Sequence, residues 1–219
     1  MPPLLQLPPE RSGHEAPEDL AKFRQGIAGA IEAGSFRTDP PPEDVELGGV
    51  RVLRYKASGD PKGVFVHMHG GGFRMGRAEM PAHFAARLAS TCQIDMVSVD
   101  YRLAPEHPYP AGLADGYAVM KALFDAGEGP IIASGDSAGG ALAAGMVSLA
   151  LSQSLAPAGL VLFSSWLDLT VSSPCYDYNA ATDPLFSRGA AEAAAKLYLQ
   201  GSSPQDPLAS PMFGSVEGF

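Results

Sequence analysis

A serine flanked by glycines stands near the middle of the chain, where an apolar run meets a helix of small residues. The segment is Gly135-Asp136-Ser137-Ala138-Gly139, which has the form G-x-S-x-G. Glycines on both sides let strand and helix approach closely, so that the serine hydroxyl projects above the sheet from a very sharp turn. The free N–H groups that begin the helix favour developing negative charge. The pattern predicts Ser137 as a nucleophile supported by Gly135 and Gly139, with a purely structural turn as the alternative.

Three consecutive glycines follow another apolar run, in the order His69-Gly70-Gly71-Gly72. Acyl transfer passes through a tetrahedral oxyanion, which backbone N–H groups of a glycine loop can reach where side chains would block the approach. We expect the N–H groups of Gly71, Gly72 and Ala138 to donate to this oxyanion, with His69 and Gly70 in support. A phosphate-binding loop is the alternative, but no lysine follows the glycines as a nucleotide site would require.

A third segment, D-Y-R-L-A-P-E-H-P-Y-P-A at residues 100–111, is rich in proline. It is typical of a strand end that is turned by prolines, and it brings Arg102 and Glu106 close enough in sequence to pair. We expect this segment to brace the wall of the site. Asp136, beside the nucleophile, is expected to hydrogen-bond this bracing segment rather than to catalyse.

All five histidines of the chain precede Ser137: His14, His67, His69, His83 and His107. A serine nucleophile needs a base that takes its proton and later returns it to the leaving group. His67 and His69 share a strand face, and a packed or hydrogen-bonded pair beneath the glycine loop is favoured over a pair of metal ligands. His107 is a further candidate for the base, although its place in the bracing segment favours a structural role. No metal or cofactor is expected.

The elements that must position these residues follow from the hydrophobic periodicity. We expect strands at Val50–Tyr55, Gly63–His69, Gln93–Tyr101, Pro130–Ser134 and Gly159–Ser164. We expect helices at Pro17–Ala33, Ala78–Ala89, about Leu113–Phe124, Ala138–Leu151 and about Arg188–Gln200, the last with Ser187 as its N-cap. Strands that alternate with helices predict an α/β fold, with a mostly parallel sheet covered on both faces.

The composition narrows the class of protein. With 219 residues, 46% of them hydrophobic and 18% charged, the chain suits a single soluble domain with decorations. A net charge of −9 argues against a nucleic-acid partner. The N-terminal residues lack the pattern of a secretory signal, no segment is long enough to cross a membrane, and two cysteines make no disulfide framework. These features predict a cytoplasmic protein that acts on neutral or apolar small molecules.

Together the three motifs resemble those of the bacterial hormone-sensitive-lipase-like esterases, an α/β-hydrolase family. The resemblance covers residues 17–213 and extends to W-L-D-L at 166–169, D-P-L at 183–185 and D-P-L-A-S-P at 206–211. It implies hydrolysis of small carboxylic esters, usually with short acyl chains, through an acyl-enzyme and without a cofactor. It also implies a helical cap, formed by an N-terminal segment at residues 1–45 and by an insertion at about 174–202 in a core of 46–219.

The same resemblance implies a Ser-Asp-His triad in that chain order, with the acid and the histidine after the last two strands. No histidine follows Ser137 in this chain, and we interpret Asp168 as structural because it has no later histidine to orient. We therefore expect an α/β-hydrolase fold that lacks its last strands, and a chain that is inactive or weakly active alone. It would be a natural truncation, a processed chain or an engineered fragment.

The apolar run Gly159–Phe163 predicts a strand made to lie between neighbours, yet nothing strand-like follows it. Since a bare apolar sheet edge recruits partners or aggregates, we expect self-association. Two other functions stay open. A capped pocket could bind an ester or acid without turning it over, and an amide or peptide hydrolase would use the same nucleophile and oxyanion hole.

Overall fold

A six-stranded sheet organises the computed structural model, which describes residues 18–215. The strands are β1 (Glu43–Leu47), β2 (Val50–Tyr55), β3 (Val64–Met68), β4 (Asp95–Val99), β5 (Ile131–Asp136) and β6 (Gly159–Phe163). Their spatial order is β1-β2-β4-β3-β5-β6. The first two pairings are antiparallel, and β4, β3, β5 and β6 run parallel. The predicted mostly parallel sheet is confirmed.

Helices cover both faces of this sheet. They are α1 (Glu18–Glu32), α2 (Ala82–Cys92), α3 (Ala111–Asp125), α4 (Ala138–Ser152), α5 (Cys175–Tyr178) and α6 (Arg188–Leu199), with a 3₁₀ turn at Pro211–Phe213. Successive residues of a strand point to opposite faces, so Val66 of β3 joins the core under α3 and α4, while Phe65 joins the core under α2. No helix within residues 18–215 combines the length and hydropathy needed to cross a bilayer.

The predicted elements are present, with differences at their ends. Helix α2 begins at Ala82 rather than Ala78, because a turn and Pro81 precede it. Strand β1 was not predicted, because its sequence E-D-V-E-L is acidic and mostly exposed. The Ser187 hydroxyl accepts a hydrogen bond from the Ala190 N–H at 3.2 Å, which confirms Ser187 as the N-cap of α6.

The bracing segment holds helix α1 against the core. The Arg24 guanidinium donates to the Glu106 carboxylate at 2.6 Å, and also to the backbone carbonyl of Arg74 at 2.8 Å. The predicted pairing of Arg102 with Glu106 is therefore wrong, and Arg102 instead pairs with Asp115 at 2.7 Å. A spacing of four residues aligns side chains only on a helix, and this segment is a proline turn.

Strand β6 forms one edge of the sheet. It pairs with β5 on one side, and no strand among the described residues pairs with its other side. The side chains of Val161, Leu162 and Phe163 are 37%, 37% and 39% exposed, which is unusual for a parallel strand of continuous apolar sequence. The expected bare edge is thus present in this part of the chain.

Candidate active site

The sheet topology brings the serine turn and the glycine loop together. Strands β3 and β5 are parallel neighbours, in a register that places Met68 opposite Gly135. The residues that follow each strand therefore lie side by side at the carboxyl edge of the sheet, where open α/β sheets bind their ligands. On β3 these residues are the glycine loop 69–72, and on β5 they lead into Ser137.

Ser137 occupies a strained backbone conformation between β5 and α4. Its φ of 51° and ψ of −123° are rarely adopted by residues other than glycine, and such strain is characteristic of functional sites. Two glycines make the turn possible. A Cβ at Gly135 would overlap the Gly139 carbonyl, and a Cβ at Gly139 would overlap the Met68 carbonyl. The serine is thus held at the tip of a turn that only glycines allow.

The backbone of Ser137 is tied to the end of β6. Its N–H donates to the Phe163 carbonyl at 3.0 Å, and its carbonyl accepts from the Trp166 N–H at 2.9 Å. Its side chain makes no capping hydrogen bond to α4. The hydroxyl is therefore available to a ligand while the turn that carries it is fixed.

Ser137 and the glycine loop line the same cavity, which has a volume of about 490 Å³. Gly71 and Gly72 have φ angles of 126° and 60°, a left-handed region that side chains disfavour. Across from them the wall is formed by Trp166 and by residues of the expected cap insertion: Cys175, Tyr176, Asn179, Asp183, Leu185, Phe186, Ala190, Ala191 and Ala194. Both sequence motifs thus open onto a single cleft.

Asp136 supports the glycine loop. Its carboxylate accepts hydrogen bonds from the Gly70 N–H at 2.8 Å and from His67 Nε2 at 3.2 Å. Burial acts to raise the pKa of Asp136, but His67 and the Gly70 N–H outweigh it and hold that pKa below its usual value. The prediction that Asp136 hydrogen-bonds the bracing segment is wrong, because its side chain faces the neighbouring strand β3.

The two histidines of β3 and its loop are buried and hydrogen-bonded to different partners. His67 Nδ1 lies 2.9 Å from the Ser134 hydroxyl. His69 Nδ1 lies 2.7 Å from the Gly70 carbonyl, so this nitrogen carries the proton that it donates. The ring of His69 stacks on Tyr101 with centroids 4.3 Å apart, and the Tyr101 hydroxyl donates to the His69 carbonyl at 2.7 Å. These contacts fix the start of the glycine loop.

The burial of His69 gives a prediction for pH dependence. Burial lowers the pKa of His69 below 6.5, and the Gly70 carbonyl and nearby carboxylates only partly oppose this. Below about pH 6.5 the His69 imidazole binds a proton in the unfolded chain but stays neutral in the folded chain, so the free energy of unfolding falls as the pH falls. We expect His69 to contribute up to about 1.4 kcal/mol per pH unit as the pH falls below about 6.5.

Urea unfolding measured across this pH range checks the prediction. His69→Gln should flatten the dependence on pH, whereas His83→Gln serves as the control, since His83 is an exposed residue of α2. An unchanged slope in the His69 variant would contradict the assignment of a neutral buried imidazole.

No histidine lines the Ser137 cavity among the residues described. His83 lies 3.1 Å from the Ser35 carbonyl, and His107 lies in the bracing turn. His14 falls outside the described residues. Within 18–215, no group of three or more His, Cys, Asp or Glu side chains is arranged to hold a metal ion.

Asp168 organises its own loop. Its carboxylate accepts hydrogen bonds from the Thr170 N–H at 2.8 Å and from the Ser172 hydroxyl at 2.9 Å. Burial acts to raise the pKa of Asp168, but these hydrogen bonds prevail and lower it. The contacts agree with its interpretation as a structural residue.

Arg74 is a charged cavity residue that was not identified from the sequence. Arg74 follows the glycine loop and lines the cavity together with Ser137. Its position was unremarkable in sequence because the direction of its side chain depends on the fold of the loop at 73–81.

Comparison with known proteins agrees with this geometry. Residues 65–219 match a family model described as the alpha/beta hydrolase fold. An esterase of Acinetobacter venetianus is 40% identical over 180 residues, which are 80% of this chain and 59% of that protein. The carboxylesterase NlhH of Mycobacterium tuberculosis is 37% identical over 161 residues, which are 69% of this chain and 50% of that protein. The chain thus spans between half and three fifths of the length of these two relatives.

Solved structures add the comparison of folds. The crystal structure of the esterase EstE5 soaked with ethyl alcohol has a TM-score of 0.83 and 33% identity, covering 95% of this chain and 70% of that one. An esterase from the bacterial hormone-sensitive lipase family has a TM-score of 0.82 and 30% identity, covering 91% and 69%. The chain therefore belongs to the alpha/beta hydrolase fold family, and within it to the bacterial hormone-sensitive-lipase-like esterases.

Proposed function

We propose that the protein hydrolyses carboxylic esters with short acyl groups, with Ser137 as the nucleophile. The observation that carries the proposal is the single cavity lined by Ser137, Gly71 and Gly72. In the reaction Ser137 Oγ loses its proton and attacks the ester carbonyl, whose oxygen becomes an oxyanion, and the leaving alkoxide takes up a proton and departs as the alcohol. Water then cleaves the acyl-enzyme, which releases the carboxylic acid and restores the Ser137 hydroxyl. The N–H groups of Gly71, Gly72 and Ala138 stabilise the oxyanion, and Asp136, Gly70 and His69 hold the glycine loop in place.

The proton transfers of this reaction need groups that residues 1–219 are proposed to lack. Attack by a serine hydroxyl requires a base, and departure of the alcohol requires an acid. The proposal is that this stretch holds neither the triad histidine nor the triad acid, and in support no histidine between residues 18 and 215 contributes to the cavity wall. Residues 1–219 alone are therefore a weak esterase.

Residues 174–202 and the N-terminal segment 1–45 are proposed to cap the site, with 46–219 as the core. For the insertion, support comes from the cavity wall, to which Cys175 and Ala194 contribute. For the N-terminal segment, support comes from Arg24, whose guanidinium also donates to the Ala104 carbonyl at 2.6 Å. A cap that excludes water would strengthen the interaction between oxyanion and donors.

A binding protein without turnover and an amide hydrolase are the competing functions. A binding protein and an amide hydrolase would both have this cavity, so a measurement of ligand affinity cannot distinguish either of them from an esterase. A binding protein would leave Ser137 unmodified by reagents that need an attacking hydroxyl. An amide hydrolase would label like an esterase but would cleave anilides as well as esters, whereas an esterase would leave anilides intact. The similarity to proteins named as esterases supports the ester.

Covalent labelling tests the nucleophile. In a reaction with an alkyl fluorophosphonate, Ser137 Oγ forms a bond to phosphorus, fluoride leaves as an anion and the hydroxyl proton passes to solvent. Because fluoride needs no acid to leave, labelling proceeds slowly even without the triad histidine. We expect one adduct, located on Ser137 by peptide mass mapping and absent from Ser137→Ala. A chain left unlabelled after prolonged exposure would favour the binding protein.

Self-association through the edge of β6 is a second part of the proposal. An edge strand with exposed apolar side chains adds neighbours readily, and a charge placed on it opposes pairing. We expect Val161→Lys to lower the mass measured by light scattering toward that of the monomer. Val45→Lys is the matched control, because Val45 is also 37% exposed but lies on the acidic edge strand β1. An equal decrease in mass for both variants would contradict this part of the proposal.

A further inference from the structure

Arg74 is a positive charge in the wall of the Ser137 cavity. Its Nε atom would lie 3.6 Å from a Cβ built on Gly72, which places the guanidinium beside the glycine loop. Helix α6 borders the same position, since the Ala194 Cβ would be 3.7 Å from that point. Any ligand that reaches Ser137 past the glycine loop therefore comes near this cation.

Within residues 18–215, no acidic side chain forms an ion pair with Arg74. The other partly buried arginines of residues 18–215 all form ion pairs: Arg24, Arg51, Arg54, Arg102 and Arg188. The Nε of Arg74 is buried and has no hydrogen-bond partner among the described residues. Because a partly buried cation without a counter-ion is unfavourable, the Arg74 guanidinium in the cavity wall is suited to a ligand that carries a negative charge.

The backbone of Arg74 is fixed in advance. Its N–H donates to the Gly71 carbonyl at 3.2 Å, and its carbonyl accepts from Arg24 Nε at 2.8 Å. A side chain on a fixed backbone loses less freedom when it binds a ligand. A planar guanidinium also matches the two oxygens of a carboxylate, which it can hold through two parallel hydrogen bonds.

Asp183 is the carboxylate of the cavity wall among the described residues, and its oxygens are engaged by backbone donors. Its carboxylate accepts hydrogen bonds from the N–H groups of Leu185 and Phe186, at 2.8 and 2.9 Å. Both of these residues are strongly exposed, at 78% and 61%, so Asp183 belongs to the outer rim. The charge beside the glycine loop is that of Arg74.

We propose that Arg74 is a specificity-determining residue that binds a free carboxylate of the substrate. The preferred substrates are then monoesters of dicarboxylic acids, in which one carboxyl group is the ester that faces Ser137 and the other is ionised and faces Arg74. This inference rests on the proposed ester-hydrolase function, whose substrate class it narrows.

Equilibrium binding tests the proposal without requiring turnover. Trp166 is the single tryptophan of the chain and lines the cavity, so its fluorescence reports ligand binding. We compare monobenzyl succinate, which carries one negative charge at pH 7.5, with the neutral benzyl methyl succinate. We expect the anionic ester to bind about tenfold more tightly or better, as for a hydrogen bond to a charged group.

Two variants separate Arg74 from general electrostatics. Arg74→Gln should abolish the preference, because it removes the cation that the anionic ester contacts. Arg87→Gln removes the same charge from an exposed site on α2 and should leave the preference intact. Equal affinities in the native chain, or a preference that survives in Arg74→Gln, would overturn the proposal.

Two further arms separate this inference from the proposed function. Ser137→Ala should keep the preference for the anionic ester, because Arg74 is unchanged. If the native chain discriminates the two esters but is not labelled by the fluorophosphonate, the Arg74 site is supported and the proposed hydrolase function is contradicted. Inorganic phosphate should compete only weakly, because it lacks the apolar ester. Competition by phosphate as strong as that by monobenzyl succinate would mean a simple anion site and would contradict the substrate class.

Discussion

Residues 1–219 are expected to accelerate hydrolysis of p-nitrophenyl butyrate by only about 10³- to 10⁴-fold over water. This is the acceleration that an oxyanion hole and substrate binding leave in a serine hydrolase without its triad. The reason here is that no histidine lines the cavity among the described residues, so Ser137 must lose its proton to solvent. Initial rates at pH 7.5, corrected for the uncatalysed reaction, measure the effect.

Two variants show how much of the measured rate depends on the oxyanion loop and how much on the Ser137 hydroxyl. Gly72→Ala should lower it further, because a side chain at a φ of 60° would distort the oxyanion loop. Ser137→Ala should remove the part of the rate that passes through an acyl-enzyme. Vigorous turnover that disappears in Ser137→Ala would show that residues 1–219 hold a functional base after all.

Gly139→Ala is expected to destabilise the fold by at least about 3 kcal/mol, or to prevent folding. Its added Cβ would overlap the carbonyl of Met68 and would lie 2.6 Å from that of His69. Both obstacles are backbone atoms at the end of β3, so neither can move aside as a flexible side chain would. Helix α4 would have to separate from the strand that carries the oxyanion loop.

The matched control for Gly139→Ala is Gly29→Ala on α1. No atom lies within 4 Å of a Cβ built at Gly29, and the residue is helical. Alanine there should stabilise the protein by about 0.5–1 kcal/mol. Urea unfolding of both variants gives the comparison. Similar stabilities for the two would mean that the close approach of α4 and β3 is not required.

Local patterns in the sequence were sufficient for the main elements of this fold. Strands β3 to β6 are apolar runs bounded by turns, and α4 is uniformly apolar and small, as a helix buried on all sides must be. The two glycine motifs could also be placed, because each follows a strand and the parallel strands end at one edge of the sheet. The acidic strand β1 carried no such pattern.

The partners of single side chains could not be predicted. Glu106 pairs with Arg24, which is 82 residues away, and this pairing depends on how α1 packs on the bracing segment. Asp136 turns toward β3, a direction fixed by the neighbour that β5 acquires in the sheet. The charge of Arg74 enters the cavity only because of the course of the loop after Gly72. Such contacts arise from tertiary packing, which spacing along the chain does not encode.

A boronic acid offers the most direct test of the central claim, that the Ser137 hydroxyl and the N–H donors of the glycine loop converge on one tetrahedral centre. A butylboronic acid adduct forms at equilibrium when Ser137 Oγ adds to trigonal boron and its proton passes to solvent, so the adduct requires no catalytic base. We expect the boron-11 NMR spectrum to show tetrahedral boron bound to the protein, a signal lost in Ser137→Ala. Boron that stays trigonal, or a tetrahedral adduct that persists in Ser137→Ala, would contradict the account.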